Sequence, residues 1–251
     1  MIRFFRQFRQ RQITNNHFSK YLLYAVGEIV LVVVGILIAL QINNWNEYRQ
    51  ARVSELSFLS RIREDLITDN AYFKRRVGDS ERYVATSGDF LKTLSEEQRS
   101  FDDVTALGKL FGEFYSSEML TTQNSTFSEM LYAGKLELIT HAGLKSLLLD
   151  YYRRNEEVAK HVSEFNGFTV DAFNIMIDKA TNIFPMQMYL DTRFTFDKEY
   201  GYLNDPSSEK FQIIAYTAQV YGSKHAVFLT YFKELEALSG ELIQLIEARA
   251  N

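Results

Sequence analysis

The chain has 251 residues, 46% apolar and 24% charged, with two Pro and no Cys, which excludes a disulfide framework and any thiolate metal site. Its net charge is −4, and the first 42 residues are basic (Arg3, Arg6, Arg9, Arg11 and Lys20 against Glu28 alone), so the larger remainder is acidic and unsuited to nucleic acid. Once roughly 45 amino-terminal residues are set aside, about 205 remain, enough for one domain with a substantial core or two small ones.

Residues 1–20, MIRFFRQFRQRQITNNHFSK, place Arg3, Arg6 and Arg9 three apart, with Phe4, Phe5 and Phe8 among them. Such a pattern suits a short amphipathic helix on an anionic leaflet. A basic flank that orients the following segment is the simpler reading, and Arg11 and Lys20 extend it. We expect residues 1–20 to form a cytoplasmic tail.

Tyr21 to Ile42 read YLLYAVGEIVLVVVGILIALQI, with one ionisable residue, Glu28, and no Pro. A helix of about 22 residues is about 33 Å long, enough to cross a hydrocarbon core of about 30 Å. Tyr21 and Tyr24 at one end, and Trp45 and Tyr48 at the other, are ring types that settle at headgroup depth. The run exceeds a signal-peptide core and lacks a small-x-small cleavage pattern, so an uncleaved signal anchor is expected. The basic flank keeps the N-terminus inside and sends residues 43–251 across.

Within the span, Ala25, Glu28, Val32, Gly35 and Ala39 follow a 3-4 spacing that puts them on one helix face, and Gly35-x-x-x-Ala39 is a small-xxx-small pair. Carboxylates inside membranes are costly and usually face protein or water. The stripe therefore reads as a self-association seam, or a docking seam for a partner helix, with Glu28 inside it. The alternative is a Glu28 shallow enough to reach the headgroups. Asn43, Asn44 and Asn46 around Trp45 fit a hydrated interface.

Beyond the span, Leu56, Leu59, Ile62, Leu66, Phe73 and Val77 recur at helical spacing, and the period resumes after Gly78 through Tyr83, Val84, Leu91 and Leu94. This predicts one long helix with a weak point at Gly78. Asp102 or Asp103 is an expected N-cap, and Thr126-Phe127-Ser128-Glu129 matches a capping box closed near Gly134. A longer helix is expected from about Ala142, carrying Leu144, Leu147, Leu148, Tyr151, Tyr152, Val158, Val162, Phe165 and Phe168, and failing before Pro185. Residues 185–204 read as an aromatic-anchored loop, although Phe194 and Phe196 alternate as in a short strand. Asp205-Pro206 predicts the start of a last helix with apolar residues from Phe211 to Leu245. Gln212, Gln219, Ser223, Lys224 and His225 argue against a second span there. The expected fold is all-α: one amino-terminal transmembrane helix followed by a long-helix bundle.

The segment GEIVLVVVGILIALQINNWNE, Gly27 to Glu47, with a FFRQFRQ-type start before it, resembles a family of single-pass membrane proteins common in Bacteroidota and defined as a domain of unknown function. STFSEMLYAGKLELIT, Ser125 to Thr140, and the later Tyr151-Tyr152 pair are similar to the same family. The resemblance implies a Gram-negative inner membrane with the helical part in the periplasm. It carries no activity and no catalytic residue.

The four histidines, His17, His141, His161 and His225, offer little for catalysis. Glu157, His161 and Glu164 share a helix face but lack the Glu-x-x-His spacing of di-iron bundles, and a solvated charged face explains them. Tyr151-Tyr152-Arg153-Arg154 reads as inward tyrosines and solvated arginines rather than an anion or sugar site. No nucleophile elbow or Gly-rich phosphate loop occurs. No catalytic residue, metal or cofactor is therefore assigned. The expected function is that of a non-enzymatic, membrane-anchored interaction or assembly module. The alternative is an extracytoplasmic small-ligand sensor, which needs a separate transducer because only about 20 residues are expected inside.

Overall fold

A computed structural model describes residues 17–97, 101–180 and 201–250. Arg3, Arg6, Arg9 and Arg11 lie outside the described residues, as does most of the aromatic segment 185–204. Among the described residues there are five α-helices and no strand, so the fold is all-α. The helices are α1 (His17–Leu94), α2 (Phe101–Phe114), α3 (Ser125–Tyr132), α4 (Ala142–Ala180) and α5 (Glu209–Ala250). Short 3₁₀ turns occupy Lys135–Leu138 and Gly201–Asn204.

Contacts divide the chain into two compact units, Met1–Leu56 and Ser57–Asn251. In the first, α1 carries a run with mean hydropathy 2.6 that is wholly unburied, long and apolar enough to cross a membrane. Past that run its surface turns polar. Asn43 donates to Glu47 at 2.8 Å, and Arg49 lies over the Trp45 ring at 6.0 Å.

The second unit is built on the helical period. On α1, Leu59, Ile62, Leu66 and Phe73 are buried, together with Phe127 and Met130 of α3, Leu144, Leu148 and Val158 of α4, and Phe228, Phe232 and Leu235 of α5. A second cluster gathers Phe90 and Leu94 of α1, Leu107, Phe111 and Phe114 of α2, Met176 of α4, and Ile214, Ala218 and Tyr221 of α5. Each such side chain contributes about 1.5–3 kcal/mol by leaving water, so the two clusters are the main stabilising term. α1 runs unbroken through Gly78, where the surrounding helix holds the shape despite the residue's low propensity.

Several local expectations give way to tertiary context. Leu56 and Phe168 fit the apolar period but are 36% and 65% exposed, because helix packing covers a narrower arc than the period alone suggests. α2 starts at Phe101, so Asp102 and Asp103 sit inside its first turn and not at the position before it, and there they favour the helix dipole. The capping box does not close: Asn124 is the N-cap of α3 without a side-chain bond, and Glu129 accepts from Arg61 at 2.6 Å. Asp205 caps a turn instead of a helix, its carboxylate accepting from the Ser207 N–H at 2.9 Å and the Ser207 hydroxyl at 2.6 Å. α5 begins later, at Glu209, with the Ser208 carbonyl accepting from Gln212. Gly134 behaves as expected, its φ of 66° turning the chain from α3 into the 3₁₀ turn.

Candidate functional site

The stripe Ala25, Glu28, Val32, Gly35 and Ala39 lies on one face of α1, within the unit Met1–Leu56. Glu28, Val32, Gly35 and Ala39 are exposed and Ala25 is partly covered. A Cβ added at Gly35 would meet nothing, so the surface there is open to a neighbouring helix. Trp45 and Tyr48 are 64% and 69% exposed on the same helix, while Lys20, Tyr21 and Tyr24 fall in its first turns.

The residues weighed for metal binding have other partners. Glu157 accepts from Arg153 and Arg154, the His161 ring is 3.1 Å from the Tyr231 hydroxyl, and Glu164 faces Lys160 at 4.0 Å. Among the described residues, no three His, Cys, Asp or Glu side chains gather where they could hold an ion. Tyr151 and Tyr152 are buried, and Arg153 points to solvent beside Asp150. Arg154 is drawn across to Glu234 of α5 at 2.7 Å.

The densest polar chemistry lies where the sequence carries no motif: the irregular connector 115–124 between α2 and α3. It has few backbone partners, and side chains from three helices hold it instead. Lys224 of α5 donates to the Ser116 carbonyl, and Asn166 of α4 to the Glu118 carbonyl at 2.5 Å. Tyr72 of α1 donates to the Met119 carbonyl at 2.6 Å, and Asp69 accepts from the Gln123 N–H at 2.9 Å. His225 Nε2 lies 2.7 Å from the Phe114 carbonyl, just ahead of the connector.

At the centre Glu118 turns inward, 3% exposed. Its Oε2 is 3.2 Å from Lys224 Nζ, and its Oε1 accepts from the Ser116 hydroxyl at 2.9 Å. Arg76 Nη2 of α1 approaches Oε1 at 3.6 Å and His225 Nδ1 at 3.5 Å. Lys224 and His225 are both fully buried. Burial is the main reason their proton affinities fall: the Lys224 ammonium is pushed below its ordinary range despite Glu118, and His225 down to about 4, with the Lys224 charge adding to the effect. His225 is therefore neutral near pH 7. A second polar group joins α1 to α4, where Tyr151 donates to Asp69 Oδ2 at 2.8 Å. Burial holds the Asp69 carboxyl above its usual range and raises the Tyr151 and Tyr152 hydroxyls further.

Sequence reasoning missed Glu118 and Arg76, which stand in no recognisable pattern. A signal was available on α5, where Ile214, Ala218, Tyr221, His225, Phe228, Phe232 and Leu235 alternate steps of three and four. His225 thus occupies a core register, and the adjoining buried Lys224 requires an acidic partner from elsewhere in the chain.

No curated protein and no solved structure matches the chain. A family described as a family of unknown function (DUF6090) matches residues 28–166, a stretch that takes in Glu28, Arg76 and Glu118 and stops short of Lys224 and His225. The match spans more than half of the 251 residues, and the chain belongs to this DUF6090 family.

Proposed function

We propose that the protein is a non-enzymatic, single-pass anchor of the inner membrane that displays a helical interaction module. It assembles with a second copy, or with a partner helix, through the face bearing Ala25, Glu28, Val32, Gly35 and Ala39. In this reading residues 1–20 are cytoplasmic, 21–42 span the bilayer and 43–251 are periplasmic. The resemblance to membrane proteins common in Bacteroidota favours that compartment.

The observation that carries the proposal is the wholly unburied apolar run of α1, with Glu28 on its small-residue stripe. An exposed carboxylate among lipid tails costs several kcal/mol, and a facing helix relieves that cost by hydrogen bonding or by excluding lipid. The chain has no native Cys, so single cysteines report contact cleanly. Oxidative cross-linking in native membranes should trap Gly35→Cys and Ala39→Cys far more than Leu37→Cys, and Glu28→Ala should weaken the trapping. Equal trapping at all three positions would reject the seam. In parallel, protease added to right-side-out spheroplasts should digest the helical unit; protection of that unit would reverse the topology.

A further inference from the structure

His225 has two ring nitrogens in different settings. Nε2 faces the Phe114 carbonyl at 2.7 Å, and a carbonyl only accepts, so Nε2 carries the hydrogen. In the neutral ring Nδ1 is then a bare lone pair. It has no hydrogen-bond partner, and it points at Glu118 Oε1 from 3.5 Å, acceptor against acceptor. At neutral pH the pair therefore shares no hydrogen bond, and Glu118 is held instead by Lys224, Arg76 and the Ser116 hydroxyl.

The surroundings decide what a proton taken up by the pair would do. From α5, Lys224 and Tyr221 adjoin the pair, Lys224 Nζ lying 4.9 Å from the Tyr221 ring. From α1 come Arg76, paired also with Asp79 at 3.7 Å, and the Tyr83 ring, 4.7 Å from His225. α4 contributes the neutral Asn166 and the connector itself the Ser116 hydroxyl. At neutral pH, Glu118 is the carboxylate shared by Lys224 and Arg76. A proton on Glu118 cancels that charge and leaves Lys224 buried without a counter-ion. A proton on His225 turns Nδ1 into a donor toward Glu118 Oε1 but sets a third cation beside Lys224 and Arg76, so that three cations compete for one carboxylate. Both outcomes weaken the side-chain grip on the connector.

We propose that the His225–Glu118 pair is an acid-release latch: uptake of one proton by the pair loosens connector 115–124 from α1, α4 and α5, while the rest of the bundle stays folded. The titratable members of the apolar clusters on both sides, Tyr151, Tyr152 and Tyr221, have hydroxyls raised by burial and keep their protons in acid, so the clusters hold when the latch opens. The connector is therefore the segment whose attachment changes with pH, and Met119 at its middle is 79% exposed.

The test uses the full chain in nanodiscs with a spin label on Met119→Cys, a unique thiol at an exposed site. As pH falls from about 7 to about 3.5, a span that brackets the value of about 4 to which burial lowers His225, the label should become mobile reversibly while the helical circular dichroism holds. His225→Gln should shift or abolish the transition, and Glu118→Gln should leave the label mobile already at neutral pH. A label that stays immobile throughout would overturn the proposal, as would a transition with the same midpoint in His225→Gln. If His225→Gln fails to fold, Glu118→Gln decides: a wild-type pH response there overturns the latch, and constant mobility supports it.

Discussion

Lys224 Nζ stands 3.2 Å from Glu118 Oε2, and both side chains are shut off from water. Such a pair resists the loss of one member far more than the loss of both, because each single change strands a charge in the interior. Lys224→Met and Glu118→Gln should each lower unfolding stability by about 3–5 kcal/mol. The double change Lys224→Met/Glu118→Gln should cost clearly less than the sum. Urea titration of the full chain in detergent measures all three, and strict additivity would mean the two charges do not depend on each other.

The depressed proton affinity of His225 fixes the sign of a pH effect. Its unfolded value is the ordinary 6.5 and its folded value about 4, so the unfolded chain takes the proton first as pH falls. The stabilising contribution is complete above about pH 6.5 and is lost on the way down to about 4, amounting to about 3 kcal/mol at most. Asp69 has the opposite sign, since burial raises its folded value. The comparison with His225→Gln isolates the histidine: the variant should show a flatter stability profile between those two pH values. A profile parallel to that of the wild type would place the buried ring outside the linkage.

Where α5 crosses α1 the fit depends on an absent side chain. A Cβ built on Gly222 would lie 2.6 Å from Ser87 Oγ and 3.2 Å from Ser87 Cβ. Ser87 is itself buried and donates to the Val84 carbonyl, so its hydroxyl is not free to swing away. Gly222→Ala should therefore destabilise by about 1–3 kcal/mol through overpacking, although Ala is the better helix former. Adding Ser87→Gly removes both close atoms and should recover part of the loss. A stabilising Gly222→Ala, as helix propensity alone requires, would show that the two helices can separate at no cost.

Much of this architecture was legible because it is periodic. Leu59, Ile62, Leu66 and Phe73 repeat at helical spacing and are buried, and Gly134 ends α3 where its permissive backbone is needed. Starts of helices were harder to place. The Asp205 side chain finds a nearer partner in Ser207, and the Glu129 carboxylate finds a distant one in Arg61. The buried polar centre was the least legible. Lys224 and His225 were visible as polar residues in an apolar helix, yet Glu118 lies on a connector without periodicity, and only folding brings the three together. Charge on a sequence usually reads as solvent exposure. Here Lys224 shows none.

Asp69 offers a contrasting case in which the charge itself is dispensable. Its Oδ2 accepts from the Tyr151 hydroxyl at 2.8 Å and its Oδ1 from the Gln123 N–H at 2.9 Å, both neutral donors. Asparagine can keep both contacts, its oxygen accepting from Gln123 while its amide donates to the Tyr151 oxygen, and it avoids burying a carboxylate. Asp69→Asn should therefore match or exceed wild-type stability at pH 7. Tyr151→Phe leaves a buried carboxylate oxygen without its donor and should cost about 1–3 kcal/mol. In the Asp69→Asn background the same Tyr151→Phe change should cost less, because an amide hydrogen rather than an ionised oxygen is stranded. Thermal unfolding of the four chains measures the coupling. Asp69→Asn proving as damaging as Tyr151→Phe would mean that the negative charge, and not the hydrogen-bond geometry, ties α1 to α4 and the connector.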